Sequence, residues 1–351
     1  MSLFTLKNPV AKKRWQRFKQ SRRGYISAWL LLILTVLSLG AELLASNRAL
    51  VVQYEGALYF PTFGDVHSGE DFGLDYAYEV NYRELKATFK TEGQGNWLLM
   101  PPIPFSPLET DLVAGDFPPH APSIDKAHYL GTDTSGRDVA ARLIYGFRIA
   151  ILFSIALLIL NYSVGVSIGC LMGFWGGAFD LLFQRIIEIW SNIPFLYVIM
   201  IVASIITPTF WTLLFIMAFF GWTAMTWYMR TATYKEVARD YVMAARALGA
   251  SGSRIMFRHI LPNSVSTLVT FVPFSVAAGI TSLTALDYLG FGLPSPTPSW
   301  GELLKQGTEN MESIWIVGSV VVAMTVILML VAYVGEAIRD AYDPKQFSYY
   351  E

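Results

Sequence analysis

Four histidines, one cysteine and the carboxylates near them are the side chains that could do covalent or metal chemistry, and their spacing supports neither. His67, His120 and His128 lie between residues 47 and 128, and His259 lies in a basic stretch. There is no His-Glu-x-x-His pair to hold zinc, so the metal set is expected to be empty and the histidines structural. Cys170 stands alone in an apolar run, which excludes a disulfide framework and a cysteine zinc site. The run Gly131-Thr-Asp-Thr-Ser-Gly-Arg-Asp138 breaks the compact order of an aspartic-protease loop. It reads instead as a turn into a helix, with Ser135 and Asp138 at capping-box spacing ahead of Val139. No lysine follows a glycine, so the chain has no Gly-Lys-Ser/Thr phosphate loop and is not expected to be an enzyme.

Spacing is more informative between residues 234 and 263. Glu236 to Leu248 reads as a helix with Val237, Tyr241, Ala244, Ala245 and Leu248 on one side. Gly249 supplies a left-handed stop, Ser251 or Ser253 a cap, and Arg254 to Leu261, including Arg258, a second short helix closed before Pro262. Such a hairpin, presenting the small side chains of Ala244, Ala245 and Ala250, suits docking into a groove on another protein. Lying on lipid headgroups is the alternative.

The elements that carry this hairpin follow from composition. Hydrophobic residues make up 54% of the 351 and charged residues 15%, too apolar for a soluble domain of this length. A net charge of −1 offers no field to hold nucleic acid. Runs free of Asp, Glu, Lys and Arg extend over 24–41, 149–179, 189–229, 260–286 and 313–335. Each can cross a bilayer, and the third is long enough for two crossings divided at Thr207-Pro208-Thr209. The expectation is an all-α membrane protein with six transmembrane helices: 25–46, then about 149–176, 182–207, 210–230, 264–286 and 313–335. Residues 1–24 hold eight cations, Lys7 among them, and no acid, whereas residues 47–146 hold seven cations and fourteen acids. The positive-inside rule then places the basic tail 1–24, the hairpin and the tail 346–351 in the cytoplasm and the insertion 47–127 outside. That insertion offers alternating pieces at 57–60 and 76–80 but little apolar mass, so it is expected to be irregular or mixed and to lean on the membrane part or a partner. Gly165, Gly169 and Gly173 at four-residue spacing let another helix approach closely, in this chain or another. Trp211, Trp222, Trp227 and Trp315 read as interface belts. The proline-spaced segment with Pro298 and Trp300 is a candidate cover for the outer mouth of a pathway.

Asp240-Tyr-Val-Met-Ala-Ala-Arg-Ala-Leu-Gly-Ala-Ser251 followed by Arg258-His-Ile-Leu-Pro-Asn263 resembles the EAA coupling loop of ABC importer permeases, in the dipeptide and oligopeptide version. Met243 stands where the loop's namesake acid would be. The resemblance extends over 128–345 through His128-Tyr-Leu-Gly-Thr-Asp133 with Gly136-Arg-Asp138, Asp180 with Arg185 and Pro194, Leu289-Gly-Phe-Gly292 with Pro298-Ser-Trp-Gly301, and Gly335-Glu-Ala-Ile-Arg-Asp340 with Asp343-Pro344. The long insertion most resembles the Yej-type branch of peptide permeases. The resemblance implies the type I ABC importer permease fold in a bacterial inner membrane. It also implies a second homologous permease subunit, cytoplasmic ATPase subunits that bind ATP and magnesium, a periplasmic peptide-binding protein, and no cofactor in this chain. An ion-coupled secondary transporter is the rival; it would need mid-span charges that these runs lack.

Overall fold

The computed structural model describes residues 9–93, 95–112 and 116–342. Lys7, the Asp343-Pro344 pair and the tail 346–351 lie outside the described residues. In chain order the elements are α1 (Pro9–Gln20), α2 (Arg22–Leu39), β1 (Val51–Tyr54), β2 (Ala57–Tyr59), α3 (Tyr82–Glu92), β3 (Trp97–Leu99), α4 (Val139–Trp175), α5 (Gly177–Ser191) and α6 (Phe195–Ile205). They continue with α7 (Phe210–Val237), α8 (Asp240–Ala247), α9 (Gly252–Ile255), α10 (Leu261–Leu268), α11 (Val272–Tyr288), α12 (Trp300–Glu309) and α13 (Ile314–Tyr342). Five helical stretches among the described residues are long and apolar enough to cross a membrane: α2, α4, α7, the run Gly252–Tyr288, and α13. The pair α5 and α6 makes a sixth crossing if counted as one span, bent by 63°. The sequence reading expected a single helix over 182–207. Pro194 explains the bend, because it lacks an N–H and disfavours helical backbone at Ile193; the Asn192 amide caps the freed end by donating to the Glu188 carbonyl at 2.7 Å.

The chain divides into two compact units. One contains α1, Ile151–Leu283 and the chain from Val326 onward. Its defining contact is α4 against α7. A Cβ on Gly165 would lie 2.8 Å from the Met225 Cβ, one on Gly169 2.5 Å from the Thr226 carbonyl oxygen, and one on Gly173 2.6 Å from the Thr233 Cβ. The neighbour that the glycine spacing left open is therefore a helix of this chain. Beyond this stripe, Asp180 of α5 receives the Arg230 guanidinium at 2.6 and 2.7 Å and the Tyr234 hydroxyl at 2.6 Å. Arg230 can therefore extend α7 well past the charge-free run. Arg185 pairs with Glu188 at 2.5 Å.

The other unit contains Ile33–Ala150 and Thr284–Thr325. Here the inserted segment takes the mixed form expected of it, but with a larger apolar core than its composition suggests. It forms an antiparallel sheet in the order β2-β1-β3, with Val52 opposite both Tyr59 and Leu98. Helix α3 is capped by Asn81, which accepts from the Arg83 N–H at 3.1 Å, and is closed by Gly93 in the left-handed region. Val52, Phe72, Leu85, Phe89 and Leu98 bury together as a core of its own. Residues 76–80, expected as a strand, contribute only the isolated bridge between Ser68 and Glu79.

Below this core the unit buries charge. Arg142, fully buried, lies between Asp133 and Glu302, and Arg137 bridges the same two carboxylates at 2.7 and 2.8 Å. His128 is sandwiched between Asp138 (2.8 Å from Nδ1) and Asp111 (3.1 Å from Nε2) and stacks on Phe105. Both ring nitrogens face carboxylate oxygens, so both are donors only in the imidazolium. Burial alone would lower the pKa of His128, but the hydrogen bonds to Asp138 and Asp111 outweigh it and hold the group above its usual range. Asp138, not Ser135, caps α4, accepting from the Ala141 N–H at 2.7 Å. Trp300 is buried in the same unit. It begins α12 at 3% exposure, donates its indole N–H to the Leu143 carbonyl at 3.0 Å and stacks on Phe147, with Pro298 buried beside it. It anchors α12 inside this unit.

Two outcomes follow from this packing. Because the folded His128 binds its proton more tightly than a free histidine, its contribution is fully present below the unfolded pKa of about 6.5 and is lost as pH rises through the higher folded value. The thermal-stability gap between the native chain and His128→Gln, measured in detergent across pH 5.5 to 8.5, should therefore be widest at the acidic end and shrink with rising pH; a gap independent of pH would contradict the assignment. Gly169→Leu should force α4 from α7 at a cost of about 1–3 kcal/mol, seen as a lower melting temperature, whereas Gly318→Ala within α13, whose added Cβ meets nothing within 4 Å and whose φ is not positive, should leave the melting temperature nearly unchanged.

Candidate functional site

The hairpin between α7 and α10 is the candidate site. Helix α7 ends at Val237, and a turn at Ala238-Arg239 separates it from α8. Gly249 then takes φ 76°. The Ala250 N–H donates to the Ala245 carbonyl and the Gly249 N–H to the Arg246 carbonyl, both at 3.0 Å, which is the Schellman pattern. Ser251 caps α9, accepting from the Arg254 N–H at 3.4 Å. The second arm does not stop before Pro262 as its sequence suggested. It widens into a π-helical turn over Met256–Ile260, in which the Leu261 N–H reaches back to the Met256 carbonyl, and continues through Pro262 as α10. The wider turn accommodates a ring that would otherwise crowd the carbonyl four residues earlier.

The face that α8 buries also differs from the sequence reading. Val242 packs inward with Ile255 and Ile260 against Cys170, Met225, Met229 and Leu268, while Ala245 and Ala250 are half-buried at the edge. Tyr241, Ala244 and Leu248 face outward, Leu248 at 88% exposure. The turn at Ala238-Arg239 resets the helical phase, so Val237 and Tyr241 do not continue one stripe. Arg254, Arg258 and Pro262 are exposed and Leu261 is half-buried. The outer face thus combines Met243, Ala244, Leu248 and Phe257 with a rim of arginines.

At the root, the Tyr241 hydroxyl donates to the Glu236 carboxylate and accepts from the Asn263 amide at 3.1 Å, and that amide also donates to the His259 carbonyl at 2.8 Å. Partial burial, then the bond to Glu236, raises the pKa of Tyr241 and keeps it a donor. The sequence reading missed Asn263 and Glu236 as staples; only the polar Asn after Leu-Pro hinted at them. Within the same unit, a cavity of about 380 Å³ lies among α4, α6, α7 and α11. Its walls are mostly apolar, with Asn161, Tyr162, Ser275 and Ser282 as polar positions. Tyr162 and Ser275 bond each other at 3.1 Å, and the buried Asn161 carbonyl oxygen has no hydrogen-bond partner among the described residues. Also among the described residues, no group of three or more His, Cys, Asp or Glu side chains could hold a metal ion.

Residues 165–348, which include the hairpin, match the family described as binding-protein-dependent transport system inner membrane component. The chain belongs to this family. The inner membrane ABC transporter permease protein YejE of Escherichia coli K12 is 41% identical over 339 residues, covering 97% of this chain and 98% of its own length. The peptidoglycan transport system permease protein YejE of Agrobacterium fabrum is 39% identical over 361 residues, covering 97% and 94%. The oligopeptide transport system permease protein OppC of Lactococcus lactis subsp. lactis is 36% identical over 232 residues, covering 64% and 77%. Both YejE proteins therefore align across the insertion as well as the spans. The helices of this binding-protein-dependent permease take the type I ABC importer permease fold.

Gly249→Val should lose activity by a conformational route, because a Cβ there meets nothing within 4 Å but φ 76° costs a branched residue about 1–2 kcal/mol. Gly249→Asn, which tolerates that region, should retain most uptake while Val lowers it roughly tenfold at unchanged membrane level. Equal uptake by all three chains would show that the turn is dispensable.

Proposed function

We propose that this chain is the membrane-spanning subunit of an ATP-driven importer that moves peptides or peptide-like solutes across the inner membrane. The carrying observation is the match to two YejE permeases over 97% of the chain. The name of the Agrobacterium relative refers to peptidoglycan and that of the Lactococcus relative to oligopeptides, and the shared chemistry is the amide backbone. The cavity bearing Asn161, Tyr162, Ser275 and Ser282 suits that chemistry, since it offers scattered hydrogen-bonding groups in an apolar wall.

In this reading ATP and magnesium are bound by separate cytoplasmic ATPase subunits, a second homologous permease completes the pathway, and a periplasmic binding protein delivers the solute. Tyr241, Ala244, Ala245, Leu248, Gly249, Ala250, Arg254, Arg258, Leu261 and Pro262 belong to the ATPase-coupling loop. Leu248 and its exposed apolar neighbours seat in a groove of the ATPase, and the arginine rim meets acids around it. Both termini and the hairpin face the cytoplasm and the sheet-bearing insertion faces the periplasm, a reading that the cation bias supports. The rigid hairpin transmits nucleotide-driven movement to α7 and α10, switching between two packings of the spans.

Affinity purification of the chain from its own membranes should bring down a second permease and an ATPase with phosphate loops, and the reconstituted complex should take up peptide only with ATP and binding protein. A lone homo-oligomer that moves solute on an ion gradient would overturn the reading in favour of a secondary transporter.

A further inference from the structure

On the side of the first unit that carries the hairpin root, α1 and the end of α13 frame two adjoining hollows. The larger, about 720 Å³, is polar and is lined by Arg14, Arg239 and Arg339 together with Glu236, Asp340 and Tyr241. The smaller, about 370 Å³, is walled by Trp15, Phe18, Val269 and Ile338. Arg14 and Tyr342 line both, and the Arg14 guanidinium lies over the Tyr342 ring at 4.2 Å, so the two hollows meet at this stacked pair.

The charges of the polar hollow are only partly satisfied. Glu236 is engaged by the Tyr241 hydroxyl, and Arg239 reaches it only at 3.9 Å. Neither Arg14 nor Arg339 is held in an ion pair among the described residues. A soluble anion would use this hollow and leave the apolar slot empty; a plain hydrocarbon would do the reverse. A molecule that fills both carries an anionic head joined to an apolar tail. Arginine forks suit a phosphodiester. Helix α1 bears Lys12, Lys13, Arg14, Arg17 and Lys19 with no acid, which enriches acidic lipid at its surface.

We propose that the two hollows together bind one acidic phospholipid, with its phosphate between Arg14 and Arg339 and an acyl chain along Trp15 and Phe18. The bound lipid joins α1 and α13 to the hairpin root at Arg239 and Tyr241. The inference rests on the membrane fold and is independent of the solute carried, so it survives or fails separately from the proposed function.

The test places the full-length chain in nanodiscs of equimolar phosphatidylcholine and phosphatidylglycerol and counts retained lipids by native mass spectrometry. The native chain should keep one phosphatidylglycerol. Arg14→Gln/Arg339→Gln should lose about tenfold or more of that retention, at about one surface cation's attraction per arginine. Arg339→Gln alone, at the exposed end of α13, should lose part of it, and this milder variant reads the same binding if the double variant does not fold. Lys12→Gln, an exposed cation on α1 outside both hollows, should keep the lipid. Excess glycerol phosphate should not displace it. Equal retention by the arginine variants, equal loss in Lys12→Gln, or displacement by glycerol phosphate would each overturn the proposal: the first removes the site, the second makes the attraction diffuse, and the third makes it a soluble-anion site.

Discussion

The backbone-to-backbone approach of α4 and α7 is the contact on which the rest of the first unit depends. In a bilayer no hydrophobic force pulls helices together, so close packing of small residues must supply the attraction. Gly165, Gly169 and Gly173 let the Trp222, Thr226 and Arg230 carbonyls come within 2.8 Å of where a Cβ would stand. That approach sets Met225 and Met229 beside Cys170, and together they form the floor on which Val242, Ile255 and Ile260 rest. The direction in which the hairpin points is thus decided in the spans. Asp180 continues the same alignment where the glycine stripe ends, because its bonds to Arg230 and Tyr234 hold the last turns of α7 against α5.

The second unit solves its packing differently. Arg137, Arg142, Asp133 and Glu302 are pooled so that each buried charge faces an opposite one, and removal of one partner would cost about 3–5 kcal/mol. A network of this kind gives little net stability against an apolar replacement. It pins residues 133–142 to residue 302, more than 150 positions along the sequence. Asp287 and Ser299 add a short bond beside it, and Trp300 fills the space above Gly146.

This difference explains what could be read from the sequence. Spans are legible where charge is absent, and the breaker at residues 207–209 falls in the gap between α6 and α7. The same criterion truncated α4 and α7, because Arg142 and Arg230 lie within helices and are neutralised by partners distant in sequence. The motif pieces 128–138 and 298–301 were recognisable by type, but nothing in their spacing said that they meet. In the hairpin, Gly249 and Ser251 behave as local chemistry dictates, since turn and cap depend on adjacent residues alone. The inward face did not, because a two-residue turn rotates α8 relative to α7. The core of the inserted segment was hidden for a similar reason: Val52, Phe72, Leu85 and Leu98 are far apart, and only folding gathers them.

The hairpin is held more firmly at its root than at its tip, as the proposed coupling role would need. Its root is held by buried Val242, Ile255 and Ile260 and by the Tyr241, Glu236 and Asn263 bonds. Its tip has a glycine with open space around it and a leucine that packs against almost nothing in the chain. Burying Leu248 on docking would yield about 1.5–3 kcal/mol, too little to hold a partner alone but enough to penalise misregister once the surrounding alanines and arginines are seated. In the proposed coupling role, attachment would be spread over the outer face and transmission concentrated at the root. The two properties reside in different residues of one short segment, so weakening the grip at Leu248 and softening the joint at Tyr241 are physically distinct faults.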